Sequence, residues 1–437
     1  MLCFEKYIYA IILSAFLILF PHPLHAEWSL SFPFYSDETL KLFQSGTDRD
    51  SAAGKQSRPG QEKPASLAPA VKSQKPVPPP LTLPVKTVVT IPSPVLSAPQ
   101  RTVLPFAPAS RVSSLVISED TIWTGATLVD GMVTVAPQAT LTILPGTVVR
   151  FGAESGILVL GRMVAKGSSE APIMLTSIYL EPLPSDWYGI VMTGTSKKNL
   201  FEYLKIQGAE AGIYARFSSL EMKNLRVENS SVAIKLVDSI AYIKDTFITG
   251  CSTGLSALKS EVDIDSTAFE KGKIGISVTS SSFTADKLKI LSCLQSAFIA
   301  GKSQLKIEKS VFSGNSNGVR VTGCDGSFNN SKFIANSETG AVLSASLIKF
   351  SSNLVSGNKV GIQLEDNLSC IWGNSIHSNS SYNILYLGDE KIYAGGNWLG
   401  TVSRESLDKT LFSKHPGALR ILPLLASEPL NDSLKDL

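Results

Sequence analysis

The 437-residue chain carries 40 basic and 37 acidic side chains, 43% hydrophobic residues, four histidines and five cysteines. A formal charge of +3 is too small for the whole chain to be a nucleic-acid binder. No CxxC pair, HExxH or GxxxxGK(S/T) sequence is present, which excludes zinc ribbons, c-type haem attachment, HExxH metalloproteases and P-loop nucleotide sites.

The first 26 residues have the pattern of a secretory signal: Lys6, then a run from Ile8 to Phe20 that is apolar but for Ser14, then a small residue, Ala26, at a cleavage point. Thirteen residues are short for a bilayer span, which needs about twenty. Export follows as the expectation, to the periplasm, the outer surface or the medium, with the segment either cleaved or kept as an anchor and no transmembrane helix in the mature chain. Residues 27–111 cannot build a core. Between 51 and 111 lie 13 of the 24 prolines, eight bases and the single acid Glu62, a local charge of +7. Such composition favours solvated polyproline II and disorder, hence a linker. Trp28, Phe32, Phe34 and Tyr35 precede it as a candidate docking cluster.

From residue 212 the chain repeats itself. Gly212, Ala233, Gly254, Gly275, Ala297, Gly318, Gly340, Gly361 and Asn383 recur every 21 or 22 residues. One residue later stand Ile213, Ile234, Leu255, Ile276, Phe298, Val319, Ala341, Ile362 and Ile384. Columns at three, ten and fifteen residues after the anchor are equally apolar, running from Ala215, Met222 and Val227 to Tyr386, Tyr393 and Trp398. Within each unit the apolar residues alternate with polar ones, as in Val262-Asp263-Ile264-Asp265, which is the period of strands with one buried face. Three short strands per unit predict a parallel β-helix over 112–402, with equivalent residues stacked at about 4.8 Å.

Eighteen residues after the anchor, Asn315, Asn336, Asn358 and Asn379 form a column, preceded by Ser230, Cys251, Gly272 and Cys293. Asparagine tolerates left-handed backbone at tight turns, and stacked amides can bond along the column, so its role is structural. Cys251 and Cys293 fall two coils apart, about 9.6 Å if coils stack at 4.8 Å, too far for a disulfide. Residues 403–413 predict a short helix with Ser403 as N-cap and Leu407, Leu411 and Phe412 as its apolar stripe, opening a C-terminal cap over 403–437.

On these features the chain resembles the right-handed β-helix proteins of the pectin-lyase-like superfamily, in particular exported bacterial members. The segments Val133 to Phe151, Ile157 to Ala165, Asp186 to Ile190, Asn199 to Tyr203 and Gly396 to Thr401 carry the likeness, although Leu399 replaces an expected aromatic. The resemblance implies the fold and leaves the activity open, because this fold hosts lyases, hydrolases, epimerases, adhesins and scaffolds. The calcium aspartates with an RxPxxR context of pectate lyases, and the NTD, DD, GHG and RIK motifs of polygalacturonases, are absent. The best chemical candidates are Asp265, Asp286 and Glu308, stacked outward on adjacent coils. Mutual repulsion there would raise a pKa for acid–base work or recruit Ca²⁺, unless Lys287 and Lys309 simply neutralise the column beside Lys223 and Lys244. His377 is expected to project outward. No cofactor other than that calcium is indicated. The expected function is an exported, non-catalytic envelope or surface protein, a rigid binding or structural platform for polysaccharide or another envelope component. The alternative is a polysaccharide lyase or hydrolase using the carboxylate column.

Overall fold

The computed structural model describes residues 101–437 apart from Phe106, Ala107, Asn367, Leu430 and Asp436. The expected signal segment, the aromatic cluster and most of the linker lie outside the described residues.

Each coil contributes three short strands to three parallel sheets. In one coil these are Thr253–Leu258, Glu261–Asp265 and Ala268–Glu270, which we assign to sheets I, II and III. Among the described residues sheet I has fourteen strands, sheet II twelve and sheet III thirteen, and within each sheet a strand pairs with the equivalent strand one coil away. Alternation explains the arrangement. In Glu261–Asp265, Val262 and Ile264 are buried while Glu261 and Asp263 are exposed, so each strand turns one apolar face inward. The register is the one the repeat predicts: Ile213 pairs with Ile234, Ile234 with Leu255, Leu255 with Ile276, and onward to Ile384. That column is buried throughout. Phenylalanines fill the later coils, with Phe312 stacked on Phe333 at 5.0 Å and Phe333 lying 5.0 Å from Phe350. The anchor residue is small because the next coil approaches it closely: a Cβ on Gly318 would lie 2.3 Å from the Gly340 carbonyl oxygen.

Corners are made by one residue in the left-handed region followed by a buried residue, in most coils small and polar. At the corner from sheet III to sheet I, Gly314, Ala335, Gly357 and Ser378 have positive φ, and Asn315, Asn336, Asn358 and Asn379 come next. The asparagines therefore do not adopt the left-handed conformation expected of them; the residue before each does. What they supply is hydrogen bonding. Asn336 Oδ1 accepts from the Asn315 backbone N–H and from its Nδ2, both at 3.1 Å, and Asn336 Nδ2 donates to Phe312 O at 3.1 Å and to Asn358 Oδ1 at 3.0 Å. The pattern continues through Asn379 to Asn383. Two further ladders run at the other corners. Asn353, Asn374 and Asn397 bond in the same manner between sheets II and III. Ser218, Ser239, Ser260, Ser281 and Ser303 pass a backbone N–H to the next hydroxyl between sheets I and II, ending on Cys324 Sγ and Ser346. Corner polar groups, buried as a corner requires, are thus paired. Cys251, Cys293 and Cys324 are free and buried and Cys370 is free and exposed.

Three departures from the sequence reading occur at the ends. The helix expected over 403–413 spans only Arg404–Thr410, with Ser403 as N-cap but no side-chain capping bond. Leu411–Ser413 is instead a strand added to sheet I, Ile384 pairing with Leu411, because an open sheet edge offers backbone partners that another helical turn would leave unmet. Leu407 still points into the core, whereas Phe412 is largely exposed. In the last coil the apolar columns slip by one residue. Ile392 and Leu399 are buried while Tyr393 is exposed, because Ile392–Tyr393 leaves the three main sheets to pair with Leu419–Arg420. At the other end, residues 101–105 and 108–111, assigned above to the linker, pack on the β-helix. Ser110–Val112 pairs with Ala126–Val129. Val103 bridges Tyr179 antiparallel, and Leu104 donates its N–H to Ile178 O. The Arg101 guanidinium forks onto the Asp186 carboxylate, donates to the Glu181 carbonyl and lies 4.0 Å from the Tyr179 ring centroid.

Candidate binding face at the corner of sheets II and III

The outward positions of the central coils hold the chemistry the sequence singled out. Asp265, Asp286 and Glu308 end successive strands of sheet II and are direct register partners, Asp265 with Asp286 and Asp286 with Glu308. The column therefore exists as read. Its electrostatics differ from the expectation. Lys244, which precedes Asp265 in the same column, places its ammonium 2.9 Å from the carboxylate. That bond, with the Ser266 hydroxyl donating at 2.8 Å, holds the Asp265 carboxyl below the ordinary carboxylate range, against the rise expected from repulsion. Asp286 has Lys287 at 3.9 Å, and Glu308 has Lys306 at 3.8 Å. Lys306 lies two residues before Glu308 on one strand, hence on the same face, and takes the part assigned above to Lys309. Lys223 is engaged by Glu221 at 2.6 Å. Each carboxylate is thus answered by a different cation. Among the described residues no group of three or more His, Cys, Asp or Glu side chains is placed to hold a metal ion, and the three stacked carboxylates do not converge on one point.

Immediately across the corner the sign reverses. Ser266, Lys287 and Lys309 occupy the left-handed corner position on successive coils. Their neighbours two residues on are Ala268, Lys289 and Val311, register partners at the start of the sheet III strands. Ser266, Thr267, Ala268, Lys287, Lys289 and Lys309, walled by Ser433 and Leu437, line a groove of about 600 Å³. All three lysines are exposed, and among the described residues Lys289 and Lys309 have no carboxylate within ion-pair distance. Lysine's flexible apolar stem lets the ammonium reach out over Ala268 and Val311 while remaining hydrated.

Glu428, Asn431 and Leu437 lie against sheet III and its corner. Ser375 Oγ donates to Glu428 Oε1 at 2.7 Å, and Asn431 Nδ2 donates to Ser352 O at 2.9 Å. His377, expected to project outward, meets this C-terminal segment: Nε2 lies 3.4 Å from Glu428 Oε1 and Nδ1 2.9 Å from Ser378 Oγ. The sequence could not show this, because Glu428 lies 51 residues further on in an irregular stretch. The lysine groove was also missed. Its residues fall at two offsets of the repeat, and neither column is uniformly basic.

Coils of three parallel strands, stacked apolar columns and polar corner ladders define a right-handed parallel β-helix protein. Residues 115–273 match the family described as pectate-lyase like beta helix domain, and residues 234–381 match the right handed beta helix region family. No curated protein matches the sequence. Among solved structures, a mutant of the periplasmic alginate epimerase AlgG is similar at 12% identity and TM-score 0.43, over 62% of this chain and 75% of that one. The A-module of the Azotobacter vinelandii mannuronan C-5 epimerase AlgE6 is similar at 13% identity and TM-score 0.34, over 66% and 86%. An alginate lyase from a Paenibacillus species is similar at 12% identity and TM-score 0.21, over 71% and 99%. No helix among the described residues is long and apolar enough to cross a membrane.

Proposed function

We propose that this protein is an exported, non-catalytic β-helix that serves as a rigid binding platform in or on the cell envelope, with polysaccharide as its partner. One observation carries the reading. The outward carboxylates Asp265, Asp286 and Glu308 are each matched by a lysine, and Asp265 is held ionised rather than poised to exchange a proton, while an open groove lined by lysines runs along the same corner. General acid–base chemistry on a glycosidic bond wants one carboxyl with a raised pKa beside an ionised one. Binding wants what is present: a rigid array of donors at fixed spacing, which loses little conformational entropy on engaging a polymer. The leader at residues 1–26 supports export.

The test is a two-part assay on purified protein. Retention on insoluble glycans and cell-envelope material is measured by co-sedimentation, and product release is measured on uronate and neutral polysaccharides. Retention without product is expected. Turnover that disappears in Asp286→Asn would replace this reading with a polysaccharide-active enzyme. Neither retention nor turnover would leave a structural spacer.

A further inference from the structure

We infer that the groove formed by Lys287, Lys289 and Lys309 is a phosphate-binding subsite, which engages phosphate groups carried on the glycan that the platform holds. The inference rests on the platform reading and adds the chemistry of the ligand.

Three observations lead to it. First, the cations are held together by the fold. Lys287 and Lys309 stand at the same corner on adjacent coils, about 4.8 Å apart along the stack, and Lys289 emerges from the strand that begins just after Lys287. Ammonium groups so placed repel one another. The nearest compensation is Asp286, 3.9 Å from Lys287 and at the margin of an ion pair, while Glu308 is taken up by Lys306. The cluster therefore has attraction to spare for an external anion. Second, the groove beneath them, at about 600 Å³, is large enough for a phosphorylated sugar, and none of the described residues lining it carries a carboxylate side chain. Third, the donor type favours phosphate. Among the described residues no arginine lines the groove, so the planar fork that matches a carboxylate in two bonds is missing there. Three ammoniums on separate stems can instead surround a tetrahedral group of several oxygens from different sides. A phosphate dianion gains more from three point charges than a carboxylate does.

The experiment measures binding of the full chain to three probes by calorimetry at low and at physiological salt: phosphorylated dextran, unmodified dextran and inorganic phosphate. Phosphorylated dextran is expected to bind at least tenfold more tightly than unmodified dextran. The affinity should fall as salt rises, since the lysines are exposed and screened. Inorganic phosphate should compete weakly, because it lacks the sugar contacts. The triple variant Lys287→Gln, Lys289→Gln, Lys309→Gln should lose at least tenfold for the phosphorylated probe with its circular dichroism unchanged. Lys349→Gln, an exposed lysine in a later coil of sheet II, should lose less than twofold. Equal binding of both dextrans, or full binding by the triple variant, overturns the subsite while leaving the platform standing. Binding of inorganic phosphate as tight as that of the polymer overturns the glycan-borne source. If no polysaccharide or envelope material is retained either, the platform itself fails.

Discussion

Asn336→Ala tests the claim that corner ladders hold the coils in register. The Asn336 side chain is about 1% exposed and makes four hydrogen bonds, two accepted from Asn315 and one donated to each of Phe312 O and Asn358 Oδ1. Truncation leaves some of the partners provided for. Asn358 Oδ1 still accepts from the Asn336 backbone N–H, and the Asn315 amide keeps its bond to Ile290 O. The Asn315 backbone N–H loses the side-chain oxygen it bonds and becomes an unpaired buried donor, costing about 1–3 kcal/mol. The three remaining lost bonds cost about 1 kcal/mol each in net terms, so the variant should be destabilised by roughly 4–6 kcal/mol. Coils touch only their neighbours, so the loss should be concentrated near the break. The assay is urea unfolding followed by circular dichroism, paired with hydrogen exchange at the Asn315 and Asn336 amides. The control Asn317→Ala removes two weaker bonds at the surface, to Gln295 O at 3.3 Å and Ser316 Oγ at 3.5 Å, and should cost under about 1 kcal/mol. A loss below about 1 kcal/mol for Asn336→Ala, or one equal to that of the control, would refute the reasoning.

Two other outcomes follow from the geometry. Burial raises the Cys251 thiol to about 11, and also raises Cys293 and Cys324. In a Cys3→Ser background, iodoacetamide at pH 8 should therefore label only the exposed Cys370 until denaturant is added, as counted by intact mass. Labelling of two or more thiols under native conditions would contradict the closed core. The lowered pKa of Asp265 contributes stability that is present above the unfolded value, about pH 4, and is lost as pH falls through the folded value. Lys244→Met removes the ammonium responsible, so the variant should lose less stability than the wild type on acidification below pH 4, by thermal melting in matched buffers. Parallel acid profiles would show that the pair does not set the shift.

The core was readable from sequence because stacking turns every buried position into a column, so that one apolar residue repeated at 21–22 spacings is seen many times over. The asparagine ladder was readable for the same reason. The second ladder was not, because Leu225, Thr246, Thr267, Leu288, Ser310 and Ser331 occupy its column before Asn353, and the mixture hides the repeat. The serine ladder was hidden differently, serine being common everywhere along the chain. Local propensity gave the wrong end for the cap helix, since what makes Leu411 extended is the free edge of Tyr382–Tyr386. On the candidate face, the register of Asp265, Asp286 and Glu308 came from the repeat, but their cations did not. Lys244, Lys287 and Lys306 approach from three different offsets, and which ammonium reaches which carboxylate depends on side-chain geometry that a spacing rule does not hold.

The docking of Arg101 on the loop before Trp187 bears on mechanics. Among the described residues, a pull applied at Arg101 would load the Arg101–Asp186 fork and the Val103–Tyr179 bridge first, and only afterwards Ser110–Val112, the first described strand of sheet III. Tension would thus enter the flank of the solenoid near residues 178–186 rather than peel its terminal rung. The outermost coil, which has neighbours on one side only, would be shielded from the load it is least equipped to bear.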